Sequence, residues 1–162
     1  MSARVGRGVL LIALISALPG VAMANSARAK SNAIYDATCA LCHQAGGAGL
    51  QGQFPRLAGR VDRMAADTVT REFLIQTLLH GMAGRIEVDG AAITGVMPPF
   101  ASLPDADLAS VLTYVISLGA SSAKKVKPVT AAEIAAVRKG PTLSGSQVLE
   151  HRAALSAAGR IP

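Results

Sequence analysis

The residues best equipped for chemistry in this 162-residue chain are Cys39-Ala40-Leu41-Cys42-His43, which contain both of its cysteines. On a helix ending near this point, two thiols three residues apart project from one side. Each can add to a vinyl group of a heme and form a thioether. The adjacent histidine is then held beside the iron, with an imidazole nitrogen as proximal ligand, and this spacing reads as c-type heme attachment. A thioredoxin-like C-x-x-C pair needs a βαβ layout, and no run of β-branched strands surrounds this motif. Two cysteines exclude a disulfide-stapled scaffold and a four-cysteine zinc site, and a single attachment motif excludes a multiheme chain.

The elements that must position this motif are mostly helical. Leu108, Val111, Leu112, Val115 and Leu118 fall at helical steps, preceded by Pro104 and the first-turn acids Asp105 and Asp107, and followed by Gly119. Thr70 to Leu79 reads as another helix, with Phe73, Leu74, Thr77 and Leu78 on one side and His80 at its C-terminal end. Between these helices, Arg85 to Gly95 places Ile86, Val88 and Ile93 around Asp89-Gly90, a strong hairpin turn. In the tail, Thr130 and Glu133 form a capping box, with Val129 and Ile134 as its hydrophobic staple. That helix runs to about Lys139 and stops at Gly140-Pro141. A second begins near Ser146, uses Val148, Leu149 and Leu155, and ends at Gly159. Both are too short to be stable alone, so each docks, on the body of the chain or on a partner enzyme, or stays partly disordered.

Composition supports one domain with an unusual core. The chain is 51% hydrophobic but only 3% aromatic and has no tryptophan, so large core-filling side chains are scarce. A heme would supply the missing flat apolar body. The N-terminus reads as an export leader: Arg4 and Arg7, an apolar stretch from Val9 to Leu18, Pro19-Gly20, then Ala22-Met23-Ala24. Cleavage after Ala24 is expected; the alternative is an uncleaved anchor, for which the apolar run is short and interrupted. Charge is unevenly distributed. Residues 25–119 hold seven Lys or Arg against eight Asp or Glu, whereas residues 120–162 hold seven against two. The basic tail includes Lys124, Lys125 and Lys127 and lacks the interleaved aromatics of a nucleic-acid surface.

From Tyr35 through His43, the glycine-rich Gly46-Gly47-Ala48-Gly49 and Phe54-Pro55-Arg56-Leu57-Ala58-Gly59, the chain resembles the class I cytochromes c over about residues 31–119. The resemblance implies that Pro55, twelve residues beyond His43, offers its carbonyl to the free ring nitrogen of that histidine. It also helps choose the sixth ligand. Residue types alone leave Met64, Met82, Met97, His80 and His151 open. Met97 stands 54 residues beyond His43 in the rigid loop Gly95-Val96-Met97-Pro98-Pro99-Phe100, just before the last helix, and is the implied ligand. Met82 is next in line as a pocket-wall residue. The last helix should cross the first near Tyr114, where this chain has Ser31 in place of the family's usual glycine.

These readings amount to an all-α, class I cytochrome c fold with a short β-hairpin and a C-terminal extension of two short helices. The expected domains are residues 1–24, a signal peptide; 25–119, the heme domain; and 120–162, the basic linker and extension. One covalent heme c is expected, held by Cys39, Cys42, His43, Pro55 and Met97, with His43 and Met97 on the iron and with Leu57, Ile75, Leu79, Met82, Ile93 and Phe100 around the ring. The implied function is periplasmic transfer of single electrons between redox proteins, not enzymatic turnover. The subgroup resembled serves as subunits or partners of periplasmic dehydrogenases, with an oxidase or another cytochrome as acceptor. The alternative is a gas sensor or small peroxidase with a labile sixth ligand.

Overall fold

The computed structural model describes residues 19–119 and 126–162. The leader as far as Leu18, and Lys124 and Lys125 of the linker, lie outside them. Helix α1 spans Pro19–Thr38 and is followed by the short α2, Ala40–His43, with Cys39 at the junction. Next come α3 (Val61–Ala65), α4 (Thr68–His80), strands β1 (Met82–Val88) and β2 (Ala91–Met97), α5 (Asp105–Ser117), α6 (Ala131–Arg138) and α7 (Gly145–Ala157). No helix among the described residues is long and apolar enough to cross a membrane.

The expectation of an all-α fold is corrected. The hairpin grows to two seven-residue strands paired antiparallel from Met82↔Met97 to Val88↔Ala91, so the fold is mixed, helical with a two-stranded sheet. Its turn residues Asp89 and Gly90 both take positive φ, 53° and 75°, as a two-residue primed turn requires. Arg56 Nε and Arg60 donate to the Asp89 carboxylate at 3.0 and 2.9 Å and hold the hairpin tip against the loop that follows Pro55. These hydrogen bonds, that from Arg56 above all, keep the Asp89 carboxyl below its ordinary pKa.

The core forms where α1 and α5 cross. Leu108, Val111, Leu112 and Val115 are all buried, one stripe at helical spacing. Tyr35 and Tyr114 meet at the crossing with ring centroids 5.3 Å apart and planes tilted by 54°, a favourable aromatic geometry. Ser31, buried one turn before Tyr35, is small enough to let α5 approach. The fully buried Tyr35 hydroxyl donates to the Gln44 carbonyl at 2.7 Å, and burial pushes its pKa up to about 12.

The tail docks on the body. Thr130 and Glu133 form the capping box of α6, and Val129 and Ile134 are both buried. A second box, Ser144 with Gln147, starts α7, whose Val148 is fully buried. Burying Ile134 and Val148 is worth about 1.5 to 3 kcal/mol each. Arginines pin this packing. Arg71 reaches Glu133 at 2.7 Å and the Pro128 carbonyl at 2.8 Å. Arg138 reaches Asp105 at 2.8 Å and the Ala101 carbonyl at 2.7 Å, and Arg160 reaches Asp67 at 2.9 Å.

Two outcomes are expected. Tyr35→Phe removes the bond to Gln44 and should lower the unfolding free energy of the heme-loaded protein by about 1 kcal/mol in a denaturant titration. The hydrogen bond from Arg71 lowers the Glu133 pKa from 4.5 to about 2. A depressed carboxylate stabilises fully above its ordinary value and loses that contribution as pH falls through the folded one. Acidification from pH 4.5 to 2 should therefore destabilise the wild type more than Glu133→Gln. The difference should be about 1 kcal/mol or less, because Glu133 is 39% exposed.

Candidate heme site

The motif sits at the mouth of an apolar cavity. The break between α1 and α2 puts Cys39 at the N-cap of α2, and the His43 N–H returns to the Cys39 carbonyl at 2.9 Å, which fixes the spacing of the five residues. Cys39 is buried and Cys42 half-buried, and they are not bonded to each other. Burial pushes the Cys39 thiol pKa up.

His43 is buried, and its Nδ1 lies 2.9 Å from the Pro55 carbonyl. A carbonyl only accepts, so the Nδ1 proton is the donor and Nε2 keeps the free lone pair. Burial holds the His43 pKa below its ordinary value, against the opposing pull of Pro55. The ring is therefore neutral at pH 7, the form in which imidazole binds metals.

The cavity has two joined lobes, both lined by Cys39, His43, Pro55, Met82 and Met97. Cys42 lines the outer lobe only. All five sequence-predicted site residues are thus brought to one space. Its walls come from three directions. The first is the loop around Pro55 and Leu57. The second is the face of α4 carrying Leu74, Thr77 and Leu78. The third is one face of the hairpin, where Met82, Gly84, Ile86 and Val88 alternate in register with Ile93, Gly95 and Met97.

Part of the predicted wall lies elsewhere. Leu57, Met82, Ile93 and Phe100 line the cavity, but Ile75 and Leu79 are buried in the main core, on the other side of α4. Their places are taken by Leu74 and Leu78. Met64, one of the donors that residue types alone leave open, also lines the inner lobe. His80 ends α4 and is absent from the described lining, while His151 is exposed and bonds Gln76 at 3.1 Å.

The Met97 loop is seated tightly. The Phe100 N–H donates to the Leu78 carbonyl at 2.8 Å. Gly81, at φ 71°, leaves room for the Met97 carbonyl, which an added Cβ would strike. The end of the chain carries no sequence signal that would join it to the site, yet Arg152 and Ile161 line the inner lobe. Their position depends on how the tail docks, and nothing local in the sequence encodes that.

The donor set fits heme c. Two thiols stand at the mouth, a neutral imidazole offers one free nitrogen, a thioether shares the cavity, and the walls are otherwise mainly apolar. Comparison with known proteins agrees. A family model described as "Cytochrome C oxidase, cbb3-type, subunit III" matches residues 26–115. One cytochrome c-552 of Thermus thermophilus is 43% identical over 137 residues, covering 83% of this chain and 89% of that protein. A second cytochrome c-552 of Thermus thermophilus is 43% identical over 118 residues, covering 72% of this chain and 89% of its own length. Kinship of that depth over most of both chains, joined to the attachment motif, means that this chain belongs to the class I mono-heme cytochromes c, electron carriers with one covalently bound heme c.

Proposed function

We propose that this cytochrome works in the periplasm, taking single electrons from a dehydrogenase, or from its cytochrome-containing complex, and delivering them to an acceptor such as a terminal oxidase. The observation that carries the reading is the meeting of His43 and Met97 in one apolar cavity whose mouth holds Cys42. When bound, heme c supplies a one-electron iron couple. In this reading Cys39 and Cys42 would carry the thioether attachments, His43 Nε2 and the Met97 thioether would hold the iron, and Pro55 would orient His43 and raise its basicity. The loop bond from Phe100 to Leu78 and the paired prolines 98 and 99 hold Met97 at the cavity, which would favour rapid electron exchange. A methionine donor raises the potential relative to a second histidine. The apolar wall of Leu57, Leu74, Leu78, Ile93 and Phe100 adds to this by disfavouring the extra charge of the ferric form.

Electrons leave by the edge near Cys42. Leu41 is 85% and Val96 76% exposed, and both line the outer lobe. A small apolar rim of this kind suits brief docking of a redox partner, since electron-transfer interfaces are small. The family match begins at residue 26, two residues after Ala24, and this supports residues 1–24 as a cleaved export leader. Residues 25–119 would then be the heme domain and residues 120–162 its basic extension. The oxidase named in the family description supports a terminal oxidase as acceptor.

Met97→Ala should abolish the weak near-infrared methionine-to-iron band of the ferric protein and let the ferrous protein bind carbon monoxide. Retention of that band would pass the role to Met82. Rapid carbon monoxide binding by the untreated ferrous wild type at neutral pH would favour the sensor or peroxidase reading instead. Leu41→Glu, on a side chain that is 85% exposed, should leave the spectrum and stability unchanged. The same variant should slow electron delivery to a purified oxidase by about tenfold, equivalent to about 1.4 kcal/mol of lost docking.

A further inference from the structure

The two lobes of the cavity differ in charge. No Lys or Arg is among the described residues lining the outer lobe, whereas Arg56, Arg60 and Arg152 all line the inner one. The negative charge beside them is taken up by Arg56 and Arg60. Asp89 binds Arg56 and Arg60 at 3.0 and 2.9 Å, and Arg60, with its side chain only 7% exposed, also donates to a carboxylate oxygen of the terminal Pro162. The half-buried Arg152 gives one N–H to the Glu87 carbonyl at 2.9 Å, and no carboxylate among the described residues pairs with it. Burial, and then the nearness of Arg60, lower the pKa of Arg152, so two like charges have been brought together at an apolar wall. A half-buried Arg152 with no carboxylate partner is costly unless the occupant of the cavity brings an anion.

Heme brings two. Its propionates lie on the side of the ring away from the vinyl carbons, so attachment through Cys39 and Cys42 directs them away from the Cys42 end, toward the lobe that holds the arginines. We propose that Arg152, carried in by the C-terminal helix α7, binds a heme propionate and shares it with Arg60. Helix α7 is seated for this purpose on one face. Val148, fully buried, anchors it, Leu149 fills the space that Gly84 leaves for lack of a Cβ, and Arg152 follows one turn later on the same side. The basic extension thereby becomes part of the cofactor site, and its charge offsets that of the propionates. Without Arg152 the uncompensated carboxylate stabilises the ferric form, which carries one more positive charge, and the potential falls.

This inference rests on heme c occupying the cavity, and not on the identity of the sixth ligand. Its test uses the mature holoprotein. In the diamagnetic ferrous wild type, nuclear Overhauser contacts are expected between a propionate methylene and the Nε–H of Arg152. At pH 7, Arg152→Gln should lower the midpoint potential enough to cut the ferrous fraction severalfold at a fixed poise. Arg152→Lys should restore most of the loss. Lys30→Gln, on an exposed lysine of α1 bound to Asp107, should leave the potential unchanged. Absence of the Overhauser contact overturns the proposal, even if the variants fail to fold. An unchanged potential in Arg152→Gln overturns it too, as does an equal fall in the Gln and Lys variants, which would mark a packing role. Loss of the methionine-to-iron band from the wild type would refute the axial assignment and leave this result standing.

Discussion

A single hydrogen bond, 2.9 Å from His43 Nδ1 to the Pro55 carbonyl, governs the layout of the site. It decides which imidazole nitrogen is free, and it anchors the loop that crosses in front of the ring. That loop is held further by the Gly49 N–H on the His43 carbonyl at 2.8 Å and the Leu57 N–H on the Gly47 carbonyl at 2.9 Å. Because Pro55 is fixed, Arg56 and Arg60 just beyond it are fixed as well, and through Asp89 they set the position of the hairpin that forms the opposite wall. Motif, loop and sheet are thus one connected structure.

The extension completes this structure. Arg71 ties α4 to the start of α6, and Arg138 ties α6 to Ala101 and Leu103, a few residues beyond Met97. Each arginine satisfies several backbone carbonyls and one carboxylate at once, so each holds two chain segments in a definite register. A carrier benefits from that rigidity, since any rearrangement between oxidation states would slow exchange.

Much of this is legible in the sequence where a local signal is strong. The five-residue motif marks the cofactor, the buried stripe from Leu108 to Val115 marks α5, and Thr130 with Glu133 marks α6. The failures have physical causes. Helix α4 is apolar on two sides because it lies between the core and the cavity, so periodicity cannot tell Ile75 and Leu79 from Leu74 and Leu78. The strands look shorter in sequence than they are because Ala83, Gly84, Ala91, Ala92 and Gly95 carry little strand propensity, and pairing there depends on packing instead. The sequence starts α7 one residue late, near Ser146 and not at Gly145, because the serines at 144 and 146 offer the same local signal and the cap is Ser144. The part played by Arg152 is invisible locally, since Glu87, which receives its hydrogen bond, is 65 residues away.

The inner lobe takes its final wall from Arg152 and Ile161, close to the end of the chain. They reach the cavity only because α7 is docked, so release of α7 would uncover the hollow on that flank while the cysteines, the imidazole and the hairpin keep their own contacts. Solvent access to that side of the pocket is therefore governed by a packing contact far along the chain from the attachment motif.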